Sequence, residues 1–406
     1  MGLGKTFVGA EKAMNLGIDI LLVCQKSKID DWKEHFIKYY AVGNVIYDLT
    51  NKIELEQFIN CDINPWKKIG IINYELVFRR PDLLKLEDFT LMLDESSLIQ
   101  NDKAKRSKFV LKMNPENVIL LSGTPVSGKY ENLWTQANLL GWNISKKVYQ
   151  QHYVNWETID VGGVPVKTVN KEDPYKNIER LKNKFREHGA VFMKTEECFE
   201  LSKQNFIDIK VNSSKEYRKF KKSRIVKVCG EELVGDTKLT QMLCERKLCG
   251  MYSQDKIQAF KDLAESTLDR LIVFYNFNDE LYSLKKVAEE LERPISEVNG
   301  KIKDLKAYES ESNSITFLQY QAGAKGLNLQ KANKVIYFTP TLKCEDWMQS
   351  QKRIHRIGQD RACFYYTLTV KNSIEKQIYK SLKAGVDYTD ELFKFEGETD
   401  GKDLRA

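Results

Sequence analysis

Met1-Gly2-Leu3-Gly4-Lys5-Thr6 opens the chain, and its last three residues form the end of a phosphate-binding loop. In such a loop, backbone N–H groups and a helix N-terminus cradle phosphate oxygens. The Lys reaches the β- and γ-phosphates, and the Thr hydroxyl holds Mg2+. Phe7 to Leu16 reads as the helix that such a loop opens. Gly-Lys-Thr alone also occurs at ordinary loop-to-helix turns, so the rest of the chain must decide. The full pattern, Gly-x-x-x-x-Gly-Lys-Ser/Thr, would place its first Gly before Met1, along with the strand that feeds the loop. That leaves open an upstream start, a fragment, or a partner chain that supplies the missing strand.

Downstream, short aliphatic runs alternate with longer helical stretches. Ile20 to Cys24, Val45 to Leu49, Ile69 to Ile72, Phe89 to Leu93 and Val118 to Leu121 are nearly continuously apolar, as strands of a parallel sheet buried on both faces are. Lys28 to Tyr39 and Ile53 to Ile59 have helical spacing between them. The expectation is a three-layer α/β unit.

From Tyr130 to Glu200 the strand rhythm is lost. Trp134, Trp142, Tyr149, Tyr153 and Trp156 mark a mostly helical insertion, about residues 130–190, whose aromatics are expected to pack its own core. Val161-Gly162-Gly163-Val164-Pro165 reads as a turn or short hairpin within it. A second alternating unit follows, with strands expected at Leu271 to Tyr275, Ile315 to Leu318, Val335 to Phe338 and Cys363 to Val370. Its helices are expected at Lys256 to Ala264, Glu280 to Leu291, Asp346 to Ile354 and Ser373 to Leu382. The expected organisation is a first lobe over 1–200, a linker or helical junction over 201–240, a second lobe over 241–390 and a charged tail over 391–406.

The bulk properties suit two soluble domains. Of 406 residues, 42% are hydrophobic and 30% charged. A net charge of +7 permits a nucleic-acid partner without requiring one. The eight cysteines and four histidines show neither zinc spacing nor a disulfide framework, which points to reduced thiols and a cytoplasmic setting. No apolar run is long enough for a bilayer, so no membrane partner is expected.

Leu91-Met92-Leu93-Asp94-Glu95 is an apolar strand ending in two acids. Carboxylates at the C-terminal edge of a parallel strand lie beside the phosphate loop of the same sheet. Asp94 would hold Mg2+, and Glu95 would polarise the attacking water as general base. Ser122-Gly123-Thr124-Pro125 directly follows another strand, and its hydroxyls can relay a change at the γ-phosphate; alone it would be a turn. In the second unit, Gln321-Ala322-Gly323-Ala324-Lys325-Gly326-Leu327-Asn328-Leu329 allows close backbone approach to phosphate. Gln349-Ser350-Gln351-Lys352-Arg353-Ile354-His355-Arg356-Ile357-Gly358-Gln359 places Arg353 and Arg356 three apart, on one face of an expected helix. A guanidinium suits a γ-phosphate whose charge rises in the transition state.

This ordered set resembles the SNF2 family of superfamily 2 helicase-like ATPases, in its compact bacterial or phage form. Met1 to Thr6 is similar to motif I, Leu21 to Ser27 with Trp32 to motif Ia, and Asp94-Glu95 to motif II. Ser122 to Pro125 is similar to motif III, Val191 to Thr195 to the segment that leaves lobe 1, and Leu271 to Phe277 to motif IV. Gln321 to Leu329 and Gln349 to Gln359 are similar to motifs V and VI. The resemblance implies two tandem RecA-like lobes, each a parallel sheet with helices on both faces. It implies an ATP site of Gly2, Gly4, Lys5, Thr6, Asp94, Gly326, Gln349, Arg353 and Arg356. Mg2+ would be held by Thr6 and Asp94, and catalysis would rest on Lys5, Glu95, Arg353 and Arg356. Duplex DNA would be contacted mainly at its backbone, through Lys26, Ser27, Ser122, Gly123, Thr124, Gln321 and Ala322.

It further implies hydrolysis in a cleft that closes on ATP, and movement of a monomer along duplex DNA in a bacterial cell or phage-infected host. One departure is plain: Ser96 and Ser97 follow the two acids, where the family commonly has Ala-His or Gly-His, so coupling between motifs II and III is expected to differ. The alternatives are a non-catalytic DNA- or partner-binding fragment with an incomplete nucleotide site, and an RNA-dependent ATPase of the same superfamily. Lys219-Phe220-Lys221-Lys222-Ser223-Arg224 reads either as a solvated helix face or as a DNA-facing strip. Asp236 to Leu248 has helical spacing and is expected near the lobe junction.

Overall fold

Five short aliphatic runs build the first sheet: β1 (Asp19–Cys24), β2 (Asn44–Asp48), β3 (Lys67–Asn73), β4 (Phe89–Asp94) and β5 (Asn117–Leu121). The computed structural model describes residues 4–61, 65–123, 125, 129–161, 164–170, 173–193, 200–320 and 327–383. The chain divides into two compact units that part between Met193 and Lys194.

In the first unit the strand order is β2-β3-β1-β4-β5, and every pairing is parallel. Successive side chains point to opposite faces. Ile20 and Leu22 pack with Ala10, Ala13, Trp32 and Phe36 on one face. Leu21 and Val23 pack with Phe58, Val77 and Val110 on the other. Both faces are therefore dry, which is why the strands lack polar alternation. Each fully buried aliphatic side chain contributes about 1.5–3 kcal/mol. Gly9 lets the helix Lys5–Asn15 lie close on β5, since a Cβ there would stand 2.5 Å from Leu121 Cδ1. All five strands run to one carboxyl edge, and the segments after β1, β4 and β5 carry the residues singled out above.

The insertion forms its own cluster of Tyr130, Leu133, Tyr149, Tyr153, Leu181 and Phe185. Trp142 meets Tyr149, Tyr153 and Phe185 edge-on, with ring centroids 6.0, 5.8 and 5.9 Å away. Its short helices, Trp134–Leu139, Lys146–Tyr153 and Ile178–Glu187, are joined by a hairpin of β6 (Trp156–Val161) and β7 (Val164–Val169).

The second unit contains β8 (Gln204–Val211), a small hairpin of β9 (Ile225–Val228) and β10 (Glu231–Val234), then β11 (Leu271–Tyr275), β12 (Ile295–Val298), β13 (Lys303–Asp304), β14 (Ile315–Gln319), β15 (Lys334–Tyr337) and β16 (Cys363–Val370). Its seven-stranded sheet has the order β13-β12-β14-β11-β15-β16-β8. Only β13 pairs antiparallel. Two apolar clusters cover its faces.

Two expectations are corrected here. Residues 201–240 are not simply a helical junction: β8 pairs along its whole length with β16 and is an edge strand of the second sheet. The helix expected over Asp346 to Ile354 is Cys344–Gln351. The chain beyond it turns back because Arg353 Nη1 donates to Leu327 O at 3.0 Å and Gln359 Nε2 donates to Ala332 O at 2.7 Å. Arg353 and Arg356 therefore do not share a helix face.

A buried carboxyl in this unit gives a stability prediction. Glu280 accepts from Asn276 N, Phe277 N and Thr339 Oγ1. Burial nevertheless pushes its pKa from 4.5 up to about 7, although Lys256 and Arg246 are near enough to oppose the shift. Because the folded state holds this proton more tightly, the stabilisation is complete below the unfolded value of 4.5 and is lost as pH rises through about 7. Its full size is roughly 3 kcal/mol, at about 1.36 kcal/mol per pKa unit. Melting curves of wild type and Glu280→Gln between pH 5 and pH 8 are expected to differ by a pH-dependent term that wild type loses on alkalinisation. A constant difference across that range would contradict the assignment.

Candidate active site

Gly4 lies in the left-handed region at φ 70°, and a Cβ there would meet nothing within 4 Å. Glycine is thus required by backbone conformation rather than by space. Val8 N–H makes the first intrahelical bond, to Gly4 O at 3.0 Å. The N–H groups of Lys5, Thr6 and Phe7 therefore precede the ladder at the positive end of the helix dipole. Thr6 is half-buried in this first turn.

Across the carboxyl edge, β4 ends at Asp94, and Glu95 follows in the left-handed region at φ 56° and ψ 58°. A non-glycine residue held there is uncommon. Lys5 Nζ stands 3.2 Å from Glu95 Oε1, joining residues ninety apart in sequence. The other oxygen, Glu95 Oε2, is buried and has no hydrogen-bond partner among the described residues. An orphaned buried carboxylate oxygen calls for a physical reason. An attacking water beside a polyphosphate supplies one, and a lysine, a helix N-terminus and two carboxylates fit a Mg2+-bound triphosphate.

Burial raises the Asp94 pKa above the usual carboxylate value, while a hydrogen bond from Trp32 Nε1 at 3.0 Å to Asp94 Oδ2 opposes it. Glu95 adds a further upward push, and Lys5 a downward one. Tyr74 Oη donates to the Asp94 carbonyl at 2.9 Å, fixing the strand end. Removing the indole donor withdraws support from the charged form, so Trp32→Phe is expected to move the acid limb of the kcat/KM profile for ATP hydrolysis to higher pH. An unmoved acid limb would show that Asp94 ionisation does not govern activity.

Ser96 and Ser97 are both 1% exposed. Ser96 Oγ donates to Gln136 Oε1 at 3.4 Å, and Gln136 Nε2 donates to Pro125 O at 2.7 Å. A glutamine from the insertion thus connects the segment after the two acids to Ser122-Gly123-Thr124-Pro125. Neither Gln136 nor Trp32 carries a chemical role in the sequence pattern alone, although the glutamine falls in the aromatic-rich insertion. Lys26 and Ser27 are exposed in the turn after β1, and Ser122 and Gly123 are half-buried after β5.

In the second unit, Arg353 is buried and donates to Leu327 O, while Arg356 is half-buried, with Nη1 on Asn328 Oδ1. Burial lowers the Arg356 pKa from its ordinary value. His355 Nε2 lies 2.9 Å from Ser202 O. Gln349 is 1% exposed and donates to Glu345 Oε1 at 2.9 Å within its own helix. Gly2, Thr124, Gln321, Ala322 and Gly326 lie outside the described residues.

The chain matches the SNF2-related domain family over residues 1–257 and the helicase conserved C-terminal domain over residues 255–358. It is 22% identical over 417 residues to an uncharacterized ATP-dependent helicase of Mycoplasma genitalium, covering 93% of this chain and 38% of that protein. It is 22% identical over 428 residues to the ISWI chromatin-remodeling complex ATPase ISW1 of Saccharomyces cerevisiae, covering 93% of this chain and 37% of that protein. The chain therefore spans under two fifths of the length of these curated relatives. Among solved structures, the Sulfolobus solfataricus SWI2/SNF2 ATPase core in complex with dsDNA is 18% identical, with a TM-score of 0.41, covering 96% of this chain and 86% of that one.

Proposed function

The chain belongs to the SNF2-related family of helicase-like ATPases, and from that premise we propose that it hydrolyses ATP in a duplex-DNA-dependent manner and moves along the duplex. The observation that carries the reading is the approach of Lys5 Nζ to Glu95 Oε1 at 3.2 Å, beside a helix N-terminus.

Lys5 and the N–H groups of the first helical turn bind the phosphates and orient the γ-phosphate. Glu95 Oε2 accepts the proton of the attacking water. Thr6 and Asp94 are the residues that would hold Mg2+, which when bound neutralises charge on the β- and γ-phosphates. Arg353 and Arg356 stabilise the charge that develops as the bond to the leaving phosphate breaks. Binding of ATP and release of product would couple the chemistry to conformational change. The Ser96–Gln136–Pro125 connection takes the place of the histidine usual after the two acids, carrying the state of the site to Ser122, Gly123 and Thr124 at the DNA backbone. Phosphate contact makes the interaction largely sequence-independent and salt-sensitive.

ATP-dependent displacement of a third strand from a DNA triplex tests this reading. Displacement from duplex DNA, without separation of the duplex strands and without equal activity on duplex RNA, is the expected result. Equal stimulation by duplex RNA would move the reading to an RNA-dependent ATPase. Binding to DNA with no nucleotide turnover would support a non-catalytic module.

A further inference from the structure

The chain carries a net charge of +7, and residues 215–227 hold seven basic residues against a single acid, Glu216. Nearly the whole excess charge is therefore concentrated in one short stretch. It folds as the helix Lys215–Ser223 followed by β9. Tyr217 and Phe220 anchor the helix against Val226, Leu233 and Leu248. The seven cations, Lys215, Arg218, Lys219, Lys221, Lys222, Arg224 and Lys227, are all exposed.

Lys215, Arg218, Lys219 and Lys222 recur at i, i+3, i+4 and i+7, which places all four on one helix face, opposite Tyr217 and Phe220. Like charges at these spacings weaken a helix, and a cation in the first turn opposes the helix dipole. An ordinary solvated face would intersperse acids. Here none of the seven cations makes an ion pair among the described residues. Glu232 is the register partner of Lys227 across the hairpin, and Glu231 is engaged with Lys247 and Tyr252. The helix keeps a repulsive face that local structure does not need.

We infer that this face is a second contact surface for duplex DNA, separate from the segments that follow the strand ends. The four cations spread over about 10 Å of helix axis at 1.5 Å per residue. Duplex DNA presents a phosphate charge about every 1.7 Å, so the face matches the charge of a phosphate backbone and carries no element that reads bases. The inference rests on the reading of the chain as a duplex-DNA translocase and gives the second unit a grip on the duplex that does not depend on nucleotide.

The test is duplex-DNA binding by fluorescence anisotropy across a salt titration, for the wild-type chain, for the triple variant Lys215→Gln, Lys219→Gln, Lys222→Gln, and for the matching Lys→Arg variant. Loss of three phosphate contacts lowers the slope of log K against log salt by about 2.7, with affinity weakened at least about tenfold near 0.1 M salt. The Arg variant retains the slope, the Gln variant melts no lower than wild type because repulsion is relieved, and its ATP affinity is unchanged. Parallel slopes for wild type and the Gln variant would overturn the surface and leave the proposed function standing. Absence of duplex binding by wild type would overturn both. Loss of binding to phosphatidylserine vesicles, with duplex binding unchanged, would reassign the face to a membrane and overturn the inference.

Discussion

Glu95→Gln is expected to lower kcat for ATP hydrolysis about a thousandfold, within the range that a positioned general base contributes. The expectation follows from two features of the carboxylate. Oε1 is held by Lys5 at 3.2 Å, and Oε2 is buried without a partner among the described residues. A glutamine fills the same volume and can still accept from Lys5, so the fold is retained. It cannot take a proton from water. Removal of a negative charge near the γ-phosphate also relieves repulsion, so ATP binding is expected to be unchanged or tighter. The ion pair itself contributes little to stability, since both side chains are about a quarter exposed. Calorimetric ATP affinity beside steady-state turnover separates the effects. A variant that loses ATP binding while retaining turnover of what is bound would assign Glu95 to nucleotide capture.

Arg356→Ala is expected to reduce kcat by about three orders of magnitude with a much smaller change in KM, because an arginine that meets charge arising in the transition state commonly contributes that much. The two arginines differ in a way that makes the experiment informative. Arg356 is half-buried and contacts the Asn328 side chain, whereas Arg353 is buried and donates to the Leu327 carbonyl. Truncating Arg353 leaves a buried carbonyl without its charged donor, at a cost of about 1–3 kcal/mol. Arg353→Ala should therefore lower both turnover and melting temperature, and Arg356→Ala mainly turnover. If both variants lose stability and retain kcat in the folded fraction, the pair is structural.

The buried parallel strands were legible because a sheet covered on both faces leaves only apolar runs, as in Ile20-Leu21-Leu22-Val23 and Leu271-Ile272-Val273-Phe274. Strand β8 was not legible. It is an edge strand whose central residues, Phe206, Ile207 and Asp208, are exposed, so neither a continuous apolar run nor a clean alternation marks it. The end of the helix at Gln351 depends on carbonyls of Leu327 and Ala332, through contacts between residues 26 and 27 apart. Pattern reading within a window cannot see them. At the site, Lys5, Thr6, Asp94 and Glu95 were readable from spacing and strand context. Trp32 and Gln136 act through partners 62 and 40 residues away, and their residue types carry no signal for that role. The basic helix was visible as a charge run, but the lack of ion pairs to its cations among the described residues emerges only from the packed structure.

Lys5 and Glu95 are proposed to belong to a nucleotide site whose turnover depends on duplex DNA. Steady-state ATP hydrolysis by the wild-type chain and by Lys5→Ala, each with and without duplex DNA, tests this assignment most directly. Strong stimulation of wild type by the duplex, and its disappearance in Lys5→Ala, is the expected result. Stimulation of equal size in both proteins would contradict the assignment.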